Sequence, residues 1–84
     1  MNHADAIKKC IADQIGSWLY QDVGTLIGMG VDSFDAVELL MRVEDSLGIE
    51  IPDPADGFRA LMAMTVDEFV EFCMQYAKTV PDEL

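Results

Sequence analysis

Apolar residues in this chain recur at intervals of three and four, with little sustained alternation of apolar and polar residues. That spacing lines one face of an α-helix, whereas a half-buried strand needs strict alternation. The only alternating stretch, Ile49-Glu50-Ile51, is too short to build a sheet. The fold class that follows is all-α, with three longer helices, a short third helix and a long first loop.

The first helix is predicted from Ala4 to about Tyr20. Ile7, Ile11, Ile15 and Trp18 share its apolar face, with Cys10 and Leu19 beside them. Gly16 weakens its last turns. Residues Gln21 to Asp32 break the pattern with Gly24, Gly28 and Gly30, and Val23, Leu26 and Ile27 read as scattered apolar anchors. A loop of this length is usually functional or held down by its own side chains. The second helix runs from Ser33 to Leu47, between an N-cap at Asp32 and a stop at Gly48. Pro52, Pro54 and Gly57 leave room only for a short helix from Gly57 to Met62. Thr65-Val66-Asp67-Glu68 is a capping box that opens the last helix. Its stripe is Val66, Phe69, Val70, Cys73 and Ala77, and Pro81 with the acidic end reads as a frayed tail. Residues 1–84 make one domain on this reading.

Sixteen acidic residues face five basic ones, a formal net charge of −11. No basic stripe is available to displace counterions from a phosphate backbone, so no nucleic acid is expected as a partner. The same charge opposes docking on an anionic membrane surface and favours partners that present Lys and Arg. No apolar run approaches the ~20 residues of a membrane span, and no secretory leader is visible. The expectation is a cytoplasmic monomer. Cys10 and Cys73 have no metal-ligand spacing and read as reduced, buried small hydrophobes. His3 is the only histidine and is expected to be exposed, so neither a metal site nor a Ser-His-Asp triad is expected. A calcium loop ending at Asp56-Gly57 would have Pro52 and Pro54 at its first and third positions and Ala63 at its twelfth, and fails. Met62, Met64 and Met74 read as fillers of irregular core gaps, or else as an adaptable lining for a bound chain.

The second helix carries more than a core face. At ~100° per residue, Ala36, Leu39, Leu40, Val43 and Leu47 form the core arc. Phe34, Val37 and Met41 form a second arc roughly opposite, edged by Glu38 and Asp45 on one side and Glu44 on the other. Either the helix is enclosed from two sides, or the second arc is a recognition surface with apolar anchors and steering charges. Ser33 stands in the first turn, where unpaired amides and the helix dipole favour a phosphate group. An ordinary polar residue at a helix start is the plainer alternative.

Gly30-Val31-Asp32-Ser33-Phe34 resembles the GxDSL signature of acyl carrier proteins. The resemblance continues through Asp35-Ala36-Val37-Glu38-Leu39 and Val43-Glu44-Asp45-Ser46-Leu47-Gly48-Ile49-Glu50-Ile51-Pro52-Asp53, covering about Leu26 to Asp53 closely. It implies a four-helix acyl-carrier-like bundle. It implies that Ser33, preceded by Asp32, bears a 4′-phosphopantetheine arm taken from coenzyme A by a phosphopantetheinyl transferase with Mg²⁺. The arm's thiol holds acyl intermediates as thioesters for synthases and transferases with basic docking patches. By the same resemblance Asp32, Asp35, Glu38, Glu44 and Asp45 contact Arg and Lys of partner enzymes, and Phe34, Val37 and Met41 are the apolar part of that surface. A short third helix borders the groove that shelters the cargo in that family.

The sequence also departs from the family. Phe34 stands where Leu is usual, and Asp53 to Thr65 is about three residues longer than in fatty-acid carriers, with Phe58, Leu61, Met62 and Met64 within it. Trp18 and the Gly-rich lead-in also differ from the housekeeping type, so a carrier of a dedicated pathway is as well supported as a fatty-acid one. The carrier role itself requires no catalytic residue. The other readings are a peptidyl or aminoacyl carrier, an unmodified carrier-like binding module, and a serine hydrolase. Peptidyl carriers usually show GGxS here. A hydrolase lacks both the G-x-S-x-G elbow and a general base.

Overall fold

The computed structural model describes residues 2–78. It contains four α-helices: α1 (His3–Ile15), α2 (Ser33–Leu47), α3 (Phe58–Met62) and α4 (Val66–Met74). A 3-10 turn at Ile27–Met29 lies in the first loop. No strand forms among the described residues, and the all-α expectation holds. The tail beginning near Pro81 lies outside the described residues.

The bundle forms because each helix buries one stripe. Ile7, Cys10 and Ile11 of α1 meet Ala36, Leu39, Leu40, Val43 and Leu47 of α2. Val66, Phe69 and Cys73 of α4 close the core, and Leu61 contributes from α3. Met62, Met64 and Met74 are half-buried and pack against this core. Both cysteines are buried and free.

The boundaries of α2 and of the capping box at Thr65 match the sequence reading. α1 is shorter than its apolar period suggests. It ends at Gly16, whose φ of 97° lies in a region closed to most side chains. Beyond that point the helical period no longer governs direction, so Trp18 is 84% exposed instead of sharing the face of Ile7 and Ile11. His3 corrects a second expectation, being only 6% exposed. It stands four residues before Ile7 and extends the buried stripe by one turn.

The first loop is pinned at its centre. The Leu26 amide donates to the Met64 carbonyl at 2.9 Å, and the Val66 amide donates to the Gly24 carbonyl at 3.2 Å. These bonds flank an isolated antiparallel bridge between Thr25 and Thr65. Leu26, Met29 and Val31 are buried beneath the loop. Val23 and Ile27, read as anchors, instead face outward. Here the anchors are spaced by the 3-10 turn and by Gly30, which adopts φ 100°, so simple proximity in sequence does not sort them.

Candidate functional site

The first loop delivers the chain into α2 through Gly30, Val31 and Asp32. The Val31 amide donates to the Leu26 carbonyl at 3.1 Å, which holds the approach to the helix. Asp32 then caps α2: the Asp35 amide donates to Asp32 Oδ1 at 2.8 Å, and the Asp32 amide donates to Asp35 Oδ2 at 3.3 Å. Ser33 is the first helical residue and is exposed. Its own amide and that of Phe34 find no acceptor among the described residues, as is usual for a first helical turn. The result is an outward hydroxyl beside two unpaired amides, on a turn locked by a reciprocal cap.

Asp35 is held from a third side. Gln14 of α1 donates through Nε2 to Asp35 Oδ1 at 2.9 Å, and Gln14 Oε1 accepts from Arg42 Nε at 2.7 Å. The Gln14 bond and then the Asp32 amide hold the Asp35 carboxyl below its usual range. These bonds tie the end of α1 to the start of α2. Sequence reasoning missed Gln14 and Arg42 because the contacts span 21 and 28 residues, beyond any local spacing signal.

Along α2 the second apolar arc lies open. Phe34 is 80% exposed, Met41 58% and Val37 43%, so the enclosed-helix alternative fails. The acids around it divide into two sets. Asp32 and Asp35 form the cap, and Glu44 Oε2 accepts from the Ile51 amide at 2.8 Å. The Glu38 and Asp45 side chains are exposed, and their carboxylates bond to no other described residue. The geometry therefore leaves Glu38 and Asp45 as the unengaged carboxylates beside Phe34 and Met41.

A groove of about 360 Å³ opens between α1 and α2, lined in part by Cys10, Asp13, Arg42, Asp45 and Ser46. Arg42 lies roughly 180° around α2 from Ser33 by helical periodicity, so this groove is on the far flank from Ser33. It is also not the α3 side, where the resemblance places shelter for cargo. Burial raises the Cys10 thiol, partly offset by a hydrogen bond with Ser46.

The family model described as "Phosphopantetheine attachment site" matches residues 5–55, more than half of the chain. The chain belongs to this family and is a phosphopantetheine-carrying carrier protein. No solved structure matches it. Membership brings a transferase that loads the arm and biosynthetic enzymes that act on what it carries. Among the described residues no helix is long and apolar enough to cross a membrane.

The residues at the start of α2 fit the prosthetic group. A phosphodiester on an exposed first-turn hydroxyl would lie beside the free amides of Ser33 and Phe34 and the positive end of the helix dipole. Asp32 and Asp35 keep their oxygens on the cap and on Gln14 and so hold this turn in place.

Proposed function

We propose that Ser33 is the attachment point and that the chain carries acyl intermediates as thioesters between enzymes of fatty-acid or related specialised biosynthesis. The observation that carries this reading is the position of Ser33, outward at the first turn of α2 and next to the open Phe34–Val37–Met41 face. The matched region holds two other serines, Ser17 and Ser46. Ser17 lies in the turn after α1 and Ser46 near the end of α2 beside Cys10, so neither offers a helix start to a phosphate.

When bound, the arm supplies a thiol on which cargo is held as a thioester. The chain's own residues do no bond-making. Its α2 face presents apolar anchors with Glu38 and Asp45 to basic partners, and its fold holds Ser33 where a transferase reaches it. Tethering raises the effective concentration of the cargo at each enzyme. The Asp32 that precedes Ser33 and the acid-edged α2 favour acyl over peptidyl cargo, in a cytoplasmic monomer of one domain.

The test is intact mass after incubation with coenzyme A, Mg²⁺ and a broad-specificity phosphopantetheinyl transferase, with Ser33→Ala alongside. One added phosphopantetheine on the wild type and none on the variant is expected. Modification of a folded Ser33→Ala protein would move the site elsewhere. A thioester-linked aminoacyl group on the protein isolated from cells would favour the peptidyl reading.

A further inference from the structure

The two capping boxes of this bundle are not held alike. At α4, the Thr65 and Glu68 side chains bond within their own turn and to no other described residue. At α2 the cap is strapped from another helix. Gln14 is half-buried in the last turn of α1, which Gly16 ends two residues later. Its side-chain amide donates through Nε2 to Asp35 Oδ1 at 2.9 Å and accepts through Oε1 from Arg42 Nε at 2.7 Å. Asp35 and Arg42 are seven residues apart and so stand almost in line along α2. One amide thus spans two turns of the helix that bears Ser33.

Glutamine is the long side chain that satisfies both neighbours. Asp35 needs a donor, and Arg42 needs an acceptor. A carboxylate at position 14 would repel Asp35, and an ammonium would repel Arg42. The direction of the Asp35 carboxylate depends on this bond, because its own cap bond is long: the Asp32 amide reaches Oδ2 at 3.3 Å. The Gln14 bond is also the first cause of the lowered Asp35 carboxyl. Asp35 is half-buried, on roughly the opposite side of α2 from exposed Ser33. The strap therefore grips the first turn from behind and leaves the hydroxyl open.

Resting on the reading of Ser33 above, we infer that Gln14, oriented by Arg42, is a positioning residue for loading of the carrier: through Asp35 it holds the first turn of α2 in the conformation that presents the Ser33 hydroxyl for transfer. Loading forms a bond from Ser33 Oγ to the phosphorus next to pantetheine and breaks the pyrophosphate of coenzyme A. The hydroxyl proton leaves to a base of the transferase, and adenosine 3′,5′-bisphosphate departs. Gln14 touches none of the reacting atoms. Without the strap, the turn samples conformers in which the hydroxyl points elsewhere, and a docked carrier reacts less often. Small misplacements of a reacting group become losses of rate.

The unloaded full chain is compared as wild type, Gln14→Ala, Gln14→Glu, and Gln14→Glu combined with Asp35→Asn. In the combined variant the new amide at position 35 donates to the new carboxylate at position 14, which still accepts from Arg42. The amide's carbonyl keeps the Asp32 amide, and the net charge is unchanged. Without transferase, ¹⁵N relaxation is expected to show the order parameters of the Ser33 and Phe34 amides falling from about 0.85 toward 0.6 in both single variants and recovering in the combined one. With a broad-specificity transferase, coenzyme A and Mg²⁺, kcat is expected to fall about fivefold in Gln14→Ala and further in Gln14→Glu, and to recover in the combined variant. KM is expected to stay within about twofold, since no contact with the transferase is removed. Cys73→Ala loosens the core at α4, away from this turn, and is expected to keep kcat. A kcat kept in both single variants, or a KM that rises while kcat is kept, would overturn the inference and leave Ser33 as the loading site. A combined variant whose order parameters recover while its kcat does not would also overturn it. An equal loss of kcat in Cys73→Ala would overturn it in favour of general destabilisation. Failure to load the folded wild type would remove the reading of Ser33 and this inference together.

Discussion

Asp35 directs one carboxylate oxygen to the Asp32 amide and the other to Gln14, while the Glu38 carboxylate, one turn further along, bonds to no other described residue. The two acids therefore respond differently to mutation. Asp35→Ala removes half of the cap and the Gln14 bond, and should cost about 1–2 kcal/mol in urea unfolding. Because the Asp35 carboxyl is held below its usual range, its contribution is present above the unfolded carboxylate value of about 4. It is lost as pH falls through the lower folded value, so wild type and variant should converge in acid. The double reversal Glu38→Lys with Asp45→Lys should leave stability within about 0.5 kcal/mol, since both side chains are exposed. It should instead raise the transferase KM. Unchanged loading kinetics in the folded double variant would remove these carboxylates from the docking surface.

At the scale of elements, α4 has nine residues and is too short to persist without its cap and its packing. Thr65 accepts from the Glu68 amide at 3.1 Å, and the Thr65 amide donates to Glu68 Oε1 at 2.9 Å. Thr65 also forms the bridge to Thr25 in the first loop. Thr65→Ala should cost about 1 kcal/mol. It should also quicken hydrogen exchange at the Leu26 and Val66 amides, which flank that bridge. A stability loss with unchanged exchange at Leu26 would show that the loop is held independently of the cap. The loop's order matters because it feeds Gly30 and Asp32 into the turn that presents Ser33.

For the whole molecule, a net charge of −11 makes salt act in two directions. Screening relieves self-repulsion within the folded chain and weakens attraction to basic partners. Raising ionic strength should therefore increase the urea midpoint while raising the transferase KM, and a KM that stays constant or falls would point to an apolar interface. Alkali acts through the core. Burial raises the thiols of both Cys73 and Cys10. A group with a raised folded value stabilises fully below its unfolded value, about 8.5 for a thiol. That contribution fades as pH rises above it, so the urea midpoint should fall between about pH 8 and pH 10. The native protein should be alkylated slowly at both positions and readily once unfolded.

The helices of this protein were legible in the chain because their determinants are local. The period of α2, its Asp32 cap and Gly48 stop, and the capping box at Thr65 all act within four residues. The place of Ser33 in the first turn and the two arcs of α2 were legible for the same reason, as was the family, since the signature is contiguous. What required the tertiary structure is what depends on residues far apart. Helical period extended α1 through Trp18, yet the φ of Gly16 turns the chain and puts the indole in solvent. A lone histidine near the terminus read as a surface residue, yet packing of the first turn of α1 buries it. The family resemblance grouped five acids on one surface. Contacts from Gln14 and Ile51 show that Asp35 and Glu44 hold the fold together, while Glu38 and Asp45 remain open. A local pattern specifies which face a side chain takes on its own helix, and only the packing of other segments against that face decides whether it meets water, the core or a partner.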